Sequence, residues 1–99
     1  MNKNEHLLVV LSEESSEIIK DVAKSLRFGL ESIEPGQNYS NGEKIENEIA
    51  DFLGVVEMLQ ELNMIGEISK EKIKKKKIKV EKYLKLSETL GTLKKQDND

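Results

Sequence analysis

The stretch that decides the fold is residues 40–62, Ser40-Asn41-Gly42-Glu43-Lys44-Ile45-Glu46-Asn47-Glu48-Ile49-Ala50-Asp51-Phe52-Leu53-Gly54-Val55-Val56-Glu57-Met58-Leu59-Gln60-Glu61-Leu62. Ser40 and Glu43 stand three apart, as in a capping box that starts a helix. Ile45, Ile49, Phe52, Val56 and Leu59 then recur at helical spacing. Ala50, Leu53, Val55, Met58 and Leu62 carry the apolar surface further round. A helix that is apolar on nearly every side is buried on nearly every side. Gly54 lies inside it, where glycine costs about 1 kcal/mol relative to alanine and something has to pack closely. Gly66 is expected to end it.

Upstream, residues 4–28 contain neither proline nor glycine. Leu7, Leu11, Ile18, Val22 and Leu26 form a second helical stripe, with Asn4 expected to cap its start and Gly29 its end. Glu34-Pro35-Gly36-Gln37-Asn38 has the chemistry of a turn. Downstream, Ser69 caps a third helix with a weaker stripe of Ile73, Ile78, Val80, Tyr83, Leu84 and Leu86. Gly91 marks its end. Nothing alternates with period two for long enough to form a sheet. The sequence thus predicts an all-α fold: an antiparallel bundle of three main helices, completed by dimerisation. A single domain is expected over residues 1–93, with residues 94–99 as a polar tail.

At 99 residues the chain buries only part of its unfolded surface, so a second copy, or a dimer of dimers, is expected to cover the second helix. It has no cysteine, which excludes disulfides and thiolate zinc sites. No run of about 18 apolar residues exists to span a membrane, and Leu7–Leu11 is too short for a signal peptide. The net charge of -3 hides an acidic first two-thirds and a basic segment from Lys70 to Lys85, centred on Lys74-Lys75-Lys76-Lys77. A lysine-rich helix is most simply a solvated face. No aromatic interrupts it before Tyr83 to stack on bases, which counts against a nucleic-acid partner.

The acids fall where a core would not want them. On the first helix the stripe Leu7, Val10, Leu11 runs on to Glu14 and Glu17. On the second, Phe52, Val55, Leu59 runs back to Asp51 and Glu48. Each pair sits three residues apart, side by side on a helix surface. Glu-x-x-Glu pairs also occur on ordinary exposed helices. Four carboxylates converging beside buried faces, however, need a strong counter-charge. A hard divalent cation supplies one, and the lack of an accompanying histidine favours Mg²⁺ or Mn²⁺ over zinc or iron.

Glu13-Glu14-Ser15-Ser16-Glu17 followed by Glu48-Ile49-Ala50-Asp51 resembles the E-E-x-x-E … E-x-x-D signature of the MazG-like all-α nucleoside triphosphate pyrophosphohydrolases. Lys24-Ser25-Leu26-Arg27-Phe28-Gly29, Pro35-Gly36-Gln37 and Lys77–Leu84 resemble segments of the short phage and bacterial members. The resemblance spans about residues 6–86. It implies Mg²⁺ held by Glu14, Glu17, Glu48 and Asp51, and hydrolysis of a nucleotide between its α- and β-phosphates. It also implies the cytoplasm of a bacterial or phage-infected cell.

Glu13 is a weaker catalytic candidate, orienting water from a second layer. Lys24 and Arg27 are candidates for phosphate contact, against the alternative of ordinary surface bases. Phe28 is expected as a helix-end core aromatic rather than a platform for a base, and Asn41 as a helix cap rather than a substrate contact. The competing function is a non-catalytic helical interaction or nucleotide-sensing module with a basic third helix.

Overall fold

The computed structural model describes residues 1–95; residues 96–99, the end of the expected polar tail, lie outside the described residues. Three helices follow in order: α1 (Lys3–Phe28), α2 (Asn41–Glu61) and α3 (Lys70–Leu90). Among the described residues there is no strand, only an isolated antiparallel bridge between Ile33 and Ser40. None of the helices is long and apolar enough to cross a membrane. The chain divides into two compact units, Met1–Gly66 and Glu67–Asp99.

In the first unit α1 and α2 pack together as an antiparallel hairpin. Early α1 meets late α2 in a small core of Leu7, Val55 and Leu59, flanked by Val10, Leu11, Met64 and Ile65. Leu59 is fully buried. The helical spacing read from the sequence places these side chains on the facing stripes.

The helix ends follow local chemistry, with some shifts from expectation. The capping box at Ser40 and Glu43 forms with both of its hydrogen bonds. Ser69 caps α3, and Gly91 closes it in the left-handed conformation. The cap of α1 is Asn2, not Asn4; its side chain accepts from the Glu5 amide at 2.8 Å. α2 ends five residues before Gly66. Asn63 takes the left-handed position there with φ 57, and the Met64 amide reaches back to the Leu59 carbonyl at 3.0 Å. Asparagine tolerates this conformation better than most residues, which is why the helix stops without a glycine. Gly54 packs against nothing in its own chain: a Cβ built there meets open space.

The α1–α2 connection is tied at its base. The Asn41 and Gly42 amides donate to the Ser32 and Leu30 carbonyls at 3.0 and 2.8 Å. Asn41 is not the cap of α2, since Ser40 holds that position. Its side chain is buried, 3% exposed, and its Nδ2 donates across the loop to the Gly29 carbonyl at 2.9 Å. At the loop tip the Gln37 amide donates to the Glu34 carbonyl at 2.9 Å. Pro35 suits the second place of this turn. Gly36, at φ +86, supplies the positive φ of the third.

In the second unit α3 buries none of its residues. Lys74 to Lys77 are exposed as expected. Lys75 Nζ lies 3.7 Å from Glu71 Oε1, an exposed i,i+4 pair worth only a few tenths of a kcal/mol.

Candidate functional site

Two helical turns from the Leu7–Leu59 contact, the facing stripes change from apolar to acidic. One oxygen each from Glu14 of α1 and from Glu48 and Asp51 of α2 lies within 4.8 Å of the other two. Opposite oxygens around a six-coordinate Mg²⁺ stand about 4.2 Å apart, twice the usual bond length. Three carboxylates at this separation therefore need only a slight inward movement to share one hard cation. The cluster contains no histidine, so its donors are all oxygens, the preference of Mg²⁺ and Mn²⁺.

The electrostatics record the crowding. Burial pushes the Glu48 carboxyl above its ordinary range. The charge of Asp51, a hydrogen bond with Glu14, and the charges of Glu14 and Asp21 push it further the same way. Without a cation, Glu48 is therefore harder to ionise than an ordinary glutamate. Glu14 and Glu48 are half-buried and Asp51 is exposed, so the cluster opens towards solvent on the Asp51 side.

Glu17 is not within the close triad, but it lines the same cavity as Glu48. This cavity, about 340 Å³, runs from the acidic cluster towards the α1–α2 connection. Asp21 lies in its wall and is 6% exposed. The i,i+3 pairing of acids does not single out Asp21. A weaker signal does exist: it stands four residues after Glu17 and seven after Glu14, on the same helix face.

Lys20, Lys24 and Lys44 share its lining. Lys24 is thus placed beside the acids, as its candidacy required. Arg27 is not a lining residue of this cavity. Its guanidinium carbon sits 4.7 Å from the centroid of the Phe28 ring, a cation–π contact. Phe28 is 58% exposed rather than a core aromatic. It lines a separate cavity of about 270 Å³ with Ile33 and Pro35, which shares Lys24 and Glu34 with the polar one. Glu13 is exposed and outside the triad; its carbonyl accepts from the Ser16 hydroxyl at 2.7 Å.

Glu34 joins the two ends of the loop region. Its Oε2 accepts from Lys24 Nζ at 3.4 Å and from Lys44 Nζ at 3.3 Å. These partners, Lys44 first, hold its carboxyl below the ordinary range.

Chemically, the arrangement places an oxygen-donor set for a divalent cation beside a polar cavity whose wall also carries three lysines. An anion coordinated to a cation at the triad would have ammonium groups within the same cavity to meet its remaining charge. A scan against protein-family models and searches of curated proteins and of solved structures found no match to this chain.

Proposed function

We propose that this chain is a Mg²⁺-dependent nucleotide pyrophosphohydrolase, cleaving between the α- and β-phosphates to release a nucleoside monophosphate and pyrophosphate. The observation that carries the reading is the convergence of Glu14, Glu48 and Asp51 from two helices beside a cavity lined by lysines. The resemblance of Glu13–Glu17 and Glu48–Asp51 to the MazG-like signature supplies the reaction.

Glu14, Glu48 and Asp51 would hold the cation, with Glu17 completing the set from the cavity wall. When bound, Mg²⁺ neutralises phosphate charge and lowers the pKa of a coordinated water. The chain's own groups do the remaining work. Lys24 meets phosphate oxygens, and the tied base of the α1–α2 connection keeps it at a fixed distance from the acids. Buried Asp21 adds negative charge behind Glu48 and strengthens the site's demand for a cation. Glu13 serves at most to orient water from outside the triad.

Assembly follows from what the hairpin leaves uncovered. Its buried core is three side chains, while Ile49, Leu53, Met58 and Leu62 on α2 and just past its end all remain exposed, Leu53 at 53%. Gly54 lies among them with open space over it. A glycine inside a helix is costly unless a neighbour uses the close approach. The reading is a homodimer in which α2 meets its symmetry mate across Gly54, with a dimer of dimers as the larger form. The second copy would complete the helical bundle around α1 and α2.

The competing reading is a helical interaction module. It draws on α3, which carries a lysine run and exposed Ile73, Ile78 and Leu84. It gives no role to the acidic triad. Pyrophosphate release from a panel of nucleoside triphosphates, with Mg²⁺ and with chelator, separates the two. Mg²⁺-dependent release from at least one nucleotide supports the enzyme, and silence across the panel favours the module.

A further inference from the structure

We infer that Glu34 holds the place of a substrate phosphate: Lys24 and Lys44 form a subsite for the pyrophosphate end of the substrate, and the Glu34 carboxylate has to leave it for substrate to enter. This inference rests on the pyrophosphohydrolase reading and adds to it a named subsite and a built-in competitor.

The geometry gives three grounds. First, the two lysines are the fixed partners and the carboxylate is the movable one. The Lys24 and Lys44 side chains are 27% and 17% exposed and stand on α1 and α2, whereas Glu34 is 48% exposed and stands on the connecting loop. That loop is tied at its base through Ser32, Asn41 and Gly42. Glu34 itself belongs to the Pro35-Gly36 turn at the tip, where a small rotation would release the carboxylate without disturbing the tie.

Second, the charges are unequal. A single carboxylate oxygen serves both ammonium groups. Among the described residues Glu34 is the one carboxylate in direct ion-pair contact with either lysine, so two positive charges share one negative charge. A phosphate group carries about two negative charges near neutral pH and three acceptor oxygens, so it matches two lysines better.

Third, the pair is in the right place. Lys24 and Lys44 line the cavity that Glu17, Asp21 and Glu48 also line, and Lys20 adds a third ammonium group to its wall. A nucleotide held at the acidic triad through a cation would extend its outer phosphates along this cavity. An ordinary exposed ion pair contributes little to stability, so holding two half-buried lysines on one loop carboxylate does little for the fold. It does keep an anion subsite ordered while empty of substrate.

The test is equilibrium binding of inorganic pyrophosphate to the intact chain, by calorimetry at low salt with chelator present, so that no divalent cation takes part. The variants are Glu34→Gln, Lys44→Gln, Lys44→Arg and the Glu34→Gln/Lys44→Gln double variant, each checked for an unchanged helical circular dichroism spectrum. Removing the competing charge should tighten pyrophosphate binding about twofold to thirtyfold, the range of two exposed charge pairs. Lys44→Gln should weaken it by a similar factor, and Lys44→Arg should restore it. In the double variant the gain from Glu34→Gln should shrink, because only Lys24 is then released.

Unchanged or weaker binding in Glu34→Gln overturns the inference. So does binding insensitive to Lys44→Gln, which would place pyrophosphate on other lysines. The readout involves no hydrolysis. Tighter binding in Glu34→Gln without turnover of any nucleotide leaves the subsite standing and removes the enzymatic reading. Turnover with unchanged pyrophosphate affinity does the reverse.

Discussion

Glu14 of α1 and Glu48 of α2 meet across the helix interface within hydrogen-bonding reach, and Glu14 raises the cost of ionising Glu48; the effect adds to burial and to the charge of Asp51. Two helices that pack through leucine and valine one turn away thus oppose acids at the next turn. An arrangement selected for stability alone would place an apolar pair there.

Acidity should expose this in the metal-free protein. Glu48 has its folded carboxyl raised above the ordinary value of 4.5. Its contribution to stability is therefore fully present below that value and is lost as pH rises through the folded one. Glu34 and Glu43 are lowered and act oppositely: their contributions are present above 4.5 and lost as pH falls. Glu48→Gln isolates the first effect. In chelator, its melting temperature should match wild type at about pH 3.5, below the carboxylate range, and exceed it at about pH 7. A variant that melts below wild type at both values would make Glu48 a structural partner.

Metal should reverse the penalty. A cation that binds only the folded state stabilises it by about 2.7 kcal/mol at a hundredfold excess over its Kd. Thermal melts should rise with Mg²⁺ in wild type and rise much less in Glu48→Gln. An equal shift in both would place the cation elsewhere.

Acids spaced at i and i+3 make Glu14, Glu48 and Asp51 legible in the sequence, because helical periodicity alone puts them beside the stripes that pack. The same periodicity reaches Asp21, two turns beyond Glu14, but a lone acid has no partner in the sequence to draw attention to it. The Glu34 contacts to Lys24 and Lys44 are not legible at all. They depend on how a twelve-residue connection returns over the helix ends, which local spacing does not encode. Helix ends differ from expectation for a related reason. Asn2, Asn4, Asn41 and Asn63 are chemically alike, and only backbone geometry decides which one caps, which one pins a loop and which one turns left-handed.

Asn41 offers a stability test of that loop. Its side chain is buried and donates to Gly29. Asn41→Ala leaves the Gly29 carbonyl without this donor and should destabilise the fold by about 1–3 kcal/mol. Chemical denaturation at fixed protein concentration measures it. A change below a few tenths of a kcal/mol would mean that water replaces the amide at no cost.

Gly54 tests the assembly. In an isolated hairpin, Gly54→Ala meets open space and should stabilise by about 1 kcal/mol through helix propensity. In a dimer packed across Gly54 the added methyl should instead lower the melting temperature and weaken association. Light scattering of both proteins at micromolar concentration separates the cases, and a wild-type monomer would contradict the dimer directly.

The basic helix should be dispensable for chemistry. Lys74 to Lys77 are all exposed, and replacing the four with glutamine should leave turnover within a few-fold. Loss of turnover with the helical spectrum intact would bring α3 into the substrate site.

The most direct measurement is pyrophosphate release by wild type, Glu48→Gln and Glu46→Gln with Mg²⁺ across a nucleoside triphosphate panel. Glu46 is exposed, two residues before Glu48 and outside the acidic triad. The account predicts release by wild type and Glu46→Gln that stops in chelator, and none above background by Glu48→Gln. Full activity in Glu48→Gln, or no release by wild type from any nucleotide, would contradict it.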